Sequence, residues 1–197
     1  MALALNHLQD DLQVIAGYES GYTCVWHRAS NDSDWNCGYV DKTHIQPILS
    51  LDVAKKNSTY FTSAADAMIV GHPMYADDPP AAAKVIQTRH SGQQALTVRS
   101  DGKLFATAGW DGRIRVYSVK TMRELAVLKW HKEGCYALAF ADLDVRLIEE
   151  ASSNDSDVRV TLASPLTVEQ RRNMKAQTTH WLAAGAKDGK VSLWDIY

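Results

Sequence analysis

A repeat constrains this chain more than any other feature of its sequence. Four segments, 12–27, 60–72, 104–118 and 181–195, follow one pattern. Each has a short apolar run rich in small residues, a tight polar turn, and an alternating segment that ends near an aromatic. The turns are Glu19-Ser20-Gly21, Asp66-Ala67, Asp111-Gly112 and Asp188-Gly189. Asp-Gly between apolar runs signals a β-hairpin, because the glycine accepts the positive φ that a tight turn needs. After two of the turns Ile114 and Val116, and Val191 and Leu193, alternate with polar residues. A period of two is a strand, not a helix.

A further apolar segment precedes most hairpins, and a histidine precedes that. From His44, Ile48, Leu51 and Val53 follow at offsets 4, 7 and 9. From His131, Cys135, Leu138 and Phe140 follow at the same offsets. From His90 the match is looser: Leu96 and Val98 come one residue early. The turn positions 20, 66, 111 and 188 lie 46, 45 and 77 residues apart. The first two spacings suit a propeller blade of about 40–45 residues. The third holds an insertion, 141–178, with Ser152-Ser153-Asn154-Asp155-Ser156-Asp157 at its centre. That stretch reads as a polar, disordered surface loop, with Ser164-Pro165 a candidate phosphorylation site. Asp77-Asp78-Pro79-Pro80 reads as a connection between blades.

The residues at these positions resemble WD repeats. In that family a His, a strand Ser or Thr, a turn Asp and a strand aromatic form one hydrogen-bonded set. The resemblance assigns His90, Thr107, Asp111 and Tyr117 to the third copy. It assigns His44, Thr62 and Asp66 to the second, with His72 in the aromatic's place. The fourth supplies His131, Asp188 and Trp194, with Ala184 where the hydroxyl belongs. The first keeps Trp26, but Ala16 and Ser20 break the pattern. The role implied is structural, since a buried carboxylate needs donors to offset its desolvation. A hydrolytic His-Thr-Asp site is the competing reading, but a catalytic triad occurs once and this grouping recurs.

The expected fold is therefore all-β: a WD40 β-propeller segment of about four blades, one partial propeller over 1–197. Such rings close with about seven blades. The sequence is expected to be the C-terminal half of a longer ring, and its uncovered blade faces to be sticky unless a partner covers them. Closure by dimerisation is the alternative. The phrases around 108–131 and 187–197 resemble the WD-repeat subunits of the ASTRA assembly and, more loosely, G-protein-β-like WD proteins. That resemblance implies a nuclear scaffold, with cytoplasm as a further location, linked to chromatin remodelling and to maturation of phosphatidylinositol-3-kinase-like kinases. The partners implied are protein subunits of an ASTRA-like assembly. A generic WD adaptor capturing a peptide such as a histone tail or ubiquitin-ligase substrate is the alternative.

Other chemistry finds little support in the sequence. Net charge is −2, so nothing attracts nucleic acid by charge alone. No run of 18 apolar residues suggests a membrane span. Cys24, Cys37 and Cys135 show no C-x-x-C spacing, which argues against a zinc site. Gly185 to Lys190 approaches a phosphate loop but is one residue short and lies on a hairpin. No catalytic residue, cofactor, metal or small-molecule substrate is expected. Trp110, beside the turn carboxylate Asp111, has two readings: packing against a neighbouring blade, or an exposed anchor for a partner.

Overall fold

The fold is known from a computed structural model, which describes residues 1–8, 11–29, 34–75, 83–143 and 167–196. Among the described residues, fifteen strands and one helix make up the regular elements, apart from a 3-10 turn at Lys55–Asn57. The first sheet joins β1 (Ala2–Leu8), β2 (Asp11–Gly17), β3 (Thr23–Ala29) and β4 (Asn36–Asp41). The second joins β5 (Ile48–Ala54), β6 (Thr59–Ala64), β7 (Met68–Pro73) and β8 (Lys84–Gln87). The third joins β9 (Gln93–Val98), β10 (Leu104–Gly109), β11 (Arg113–Ser118) and β12 (Glu124–Lys129). The fourth has three described strands, β13 (Cys135–Phe140), β14 (Trp181–Ala186) and β15 (Val191–Asp195). Within each sheet the strands follow in chain order and run antiparallel.

The first strand of each sheet faces its neighbours: β1 lies against β5, β5 against β9 and β9 against β13. Four meanders stacked through their first strands are blades of a partial β-propeller. The reason they stack is apolar area on both faces. Ile15 and Val25 of the first sheet meet Leu51, Val53 and Tyr60 of the second. Phe61 and Ile69 meet Leu96, Phe105 and Tyr117 of the third, whose rings continue the stack at 4.5 and 5.0 Å between centroids. Ala106, Ala108, Ile114 and Val116 meet Leu182 and Ala184 of the fourth. Each fully buried side chain of this size contributes about 1.5–3 kcal/mol.

The hairpin turns have a common geometry. In the third sheet the Gly112 amide donates to the Gly109 carbonyl at 3.1 Å, and Gly112 has φ +75°. Gly189 repeats this in the fourth sheet, its amide 3.0 Å from the Ala186 carbonyl, with φ +78°. A left-handed residue after a tight turn lets the two strands keep their twist.

One expectation needs correcting. The insertion is not loop throughout: α1 (Val168–Thr178) occupies its last part. Glu169 in its first turn and Lys175 in its last complement the helix dipole. Its apolar residues lie at 168, 174 and 176, a spacing with no helical stripe, so periodicity gave no sign of it. The polar run 152–157 and Ser164-Pro165 lie outside the described residues, as does Asp77-Asp78-Pro79-Pro80. The insertion leaves and rejoins one hairpin: the Ala141 amide donates to the Trp181 carbonyl at 2.8 Å.

Candidate functional site: the blade networks and the turn face

The second sheet assembles the full set. His44 Nδ1 lies 3.0 Å from Asp66 Oδ2, and His44 Nε2 lies 2.8 Å from the Thr62 hydroxyl. Thr62 Oγ1 is in turn 2.8 Å from His72 Nε2. One proton assignment satisfies all three contacts: His44 donates to Asp66, Thr62 donates to His44, and His72 donates to Thr62. The Asp66 carboxylate also accepts the Ile45 and Met68 amides, which fixes the turn. His72 therefore does what a strand aromatic does elsewhere. Its ring stacks on Tyr60 at 4.7 Å. Burial, and then the neighbouring His44, push its pKa well below the ordinary value, with Asp41 opposing, so the ring is neutral.

The third sheet holds the same residue types but does not join them as expected. His90 is half-exposed, and its Nδ1 stays 3.7 Å from Asp111. Gln93 takes its place, accepting the Thr107 hydroxyl at 2.9 Å. Arg115, only 2% exposed, donates to both Asp111 oxygens at 3.2 and 2.6 Å. Burial alone would lower the Arg115 pKa and raise that of Asp111. Their mutual hydrogen bonds reverse both, holding the guanidinium above and the carboxyl below its ordinary value. Tyr117 belongs to the ring stack between the second and third sheets, and burial pushes its phenol up to about 12. The physical cause is the one-residue shortening after His90. At the seven-residue offset from Leu96 stands Arg89, with φ +61°, so the histidine is displaced out of the site.

In the fourth sheet the hydroxyl missing at Ala184 comes from the strand opposite. Ala184 pairs with Ser192 across β14 and β15. Ser192 Oγ lies 2.7 Å from His131 Nε2 and accepts the Trp194 indole N–H at 2.8 Å. Asp188 does not join this group. Its carboxylate turns to Lys190, whose hydrogen bond holds it below the ordinary carboxylate range. His131 Nδ1 is buried with no hydrogen-bond partner among the described residues. Arg115, Gln93 and Ser192 were the residues that the family pattern missed. The signal available was the arginine and serine at matching positions of the two alternating strands.

Trp110 is 45% exposed, and its indole N–H donates to Gln94 Oε1 at 2.8 Å. Its ring covers Gly92, where a Cβ would come within 2.0 Å of the ring. The backbone of Trp110 packs on Gly134 at the start of the fourth blade, so the residue is both held in place and open to solvent. The three cysteines are free thiols, and burial pushes Cys135 up to about 11.

Blades of this construction, one of them holding the full set of buried His, Asp and hydroxyl groups, make the chain a WD-repeat β-propeller segment. The family description "WD domain, G-beta repeat" matches residues 83–118 and 176–195. The first match opens on β8 and runs through β11, so one repeat gives the last strand of one blade and three strands of the next. The chain is similar to ASTRA-associated protein 1 of Verticillium alfalfae, 47% identical across 100% of this chain and 50% of the relative. It is likewise 47% identical to ASTRA-associated protein 1 of Aspergillus flavus, across 95% of this chain and 48% of the relative. A guanine nucleotide-binding protein subunit beta-like protein 1 of Mus musculus is 27% identical across 100% of this chain and 49% of its own length. The chain thus spans about half the length of these curated relatives. Among solved structures, the computationally designed Ika8 protein matches with a TM-score of 0.59 at 18% identity, covering 99% of this chain and 45% of that one. That likeness concerns the fold alone.

Proposed function

We propose that this chain is a non-catalytic scaffold of an ASTRA-like assembly, binding other protein subunits through its turn face. The observation that carries the reading is the 47% identity, along the whole chain, to proteins named ASTRA-associated protein 1. The proposal extends to a role in chromatin regulation and in maturation of phosphatidylinositol-3-kinase-like kinases, in the nucleus. The networks of the second and third blades fit the reading, because each ties down a turn and leaves a rigid loop to present.

Trp110 is the proposed anchor on that face. A ring fixed by Gly92 and Gln94 loses little entropy when a partner covers it, and such aromatics carry much of an interface's energy. The test is co-purification of the tagged chain from a fungal extract, scored for the subunits that accompany ASTRA-associated protein 1. Trp110→Ala is expected to weaken that association by about 2 kcal/mol while leaving the unfolding midpoint in place. Retention of every subunit by the variant would remove Trp110 from the interface. Absence of those subunits from the wild-type sample would remove the scaffold reading itself.

A further inference from the structure

A cleft of about 270 Å³ lies on the third blade, lined by His90, Arg113, Arg115, Glu124, Val127 and Lys129. Its floor is one face of a two-strand ladder. Arg113 stands directly opposite Lys129, and Arg115 opposite Val127. Like charges paired directly across a sheet are destabilising. Buried Arg115 adds a third cation next to them. The anions present do not balance this. Asp111 is taken up by Arg115, and its contacts with Arg113 and His90 are both long, at 3.7 Å. Glu124 stands 3.7 Å from Arg115 Nε. Among the described residues, the cleft's ion pairs all end on Asp111 or Glu124 and none reaches Lys129. Three cations and a histidine thus face two carboxylates.

We infer that this cleft binds the phosphate of a phosphoserine or phosphothreonine side chain on a partner segment, beside the Trp110 anchor. The inference rests on the scaffold reading and names the chemistry of one partner contact. A phosphomonoester carries about −1.5 to −2 charge and three strong acceptor oxygens. That charge offsets the surplus, and bridging Arg113 and Lys129 turns a repelling pair into two ligands. The Arg113 fork and the Lys129 ammonium suit a tetrahedral acceptor from two sides, while Arg115, already paired with Asp111, stays in the floor beneath them. Asp111 lies two residues before Arg113 and Trp110 directly before Asp111, so one extended peptide could meet both ring and cleft.

The test titrates the ¹⁵N-labelled chain in 0.15 M sodium chloride with a five-residue peptide, phosphoserine flanked by alanines. Matched peptides carry glutamate or serine instead. The amides of Arg113, Arg115, Val127 and Lys129 should shift with the phosphopeptide, less with glutamate and not with serine. The double variant Arg113→Gln, Lys129→Gln should fold and weaken the phosphopeptide at least about tenfold, the loss expected for charge-assisted hydrogen bonds. Its unfolding midpoint should hold or rise, since the repelling pair is gone. Equal responses to glutamate and phosphoserine, no shift at the cleft, or undiminished binding by the double variant would each overturn the assignment. Co-purification of the assembly's subunits with a silent cleft would defeat this inference alone. A responsive cleft without those subunits would defeat the scaffold reading alone.

Discussion

In the second blade the histidine ahead of the first strand is buried and bridges a carboxylate and a hydroxyl. In the third blade the residue of the same type, His90, stands in solvent while glutamine and arginine serve the hydroxyl and carboxylate. The turn in both is nonetheless tied down: Asp66 accepts the Met68 amide, and Asp111 accepts the Arg113 amide. The difference teaches that a WD blade needs donors for a turn carboxylate and a partner for a buried hydroxyl, and any residue that reaches will serve. It also teaches where function can enter. A satisfied network is sealed; a rebuilt one borders a charged cleft at the surface.

Substitutions at matched positions test this contrast. Asp66→Ala should be the most damaging, because it strands buried His44 and two amides; about 3 kcal/mol or more of stability is expected to go, read by urea unfolding. His44→Ala should cost about 2–3 kcal/mol and His90→Ala under about 0.5 kcal/mol, as buried and exposed partners differ. Equal losses at the two histidines would break the comparison. Ser192→Ala orphans His131 and Trp194 together and should cost about 2 kcal/mol; adding Ala184→Ser should recover part of it, since a hydroxyl would return from the opposite strand.

Acid should separate the blades too. His72 is held neutral in the fold, its pKa lowered chiefly by burial. The unfolded chain therefore takes up that proton first. Its contribution is full above the ordinary imidazole value of about 6.5 and falls away as pH drops below it. Replacing His72 by Gln should flatten the pH dependence of the unfolding midpoint between about 6.5 and 5. Asp111, lowered overall by Arg115, contributes above the ordinary carboxylate value and loses that only in stronger acid. An unchanged slope in the His72 variant would mean that another group titrates there.

The last contrast, which ends on the smallest effect, sets a covered blade face against an open one. Ile114 and Val116 are 0% and 3% exposed because the fourth blade covers them. Val191 and Leu193, which hold the same hairpin positions one blade later, are 68% and 61% exposed. Ile114→Ala should cost about 2–4 kcal/mol, and Val191→Ala under about 0.5 kcal/mol. A large loss at Val191 would show that something already covers that face.

The strands, their hairpin turns and the family likeness were readable from the residues, because alternation and Asp-Gly turns are local properties. Ile114 and Val116, or Val191 and Leu193, announce a strand wherever they occur. The helix at 168–178 was not readable, since its polar surface carries no apolar stripe. Nor was the choice among His90, Gln93 and Arg115. The sequence by itself determined that turn carboxylates and strand hydroxyls would recur at blade spacing. Which donors reach them was decided only by tertiary structure, because a one-residue shift moves a side chain by several ångströms and a hydrogen bond tolerates only tenths.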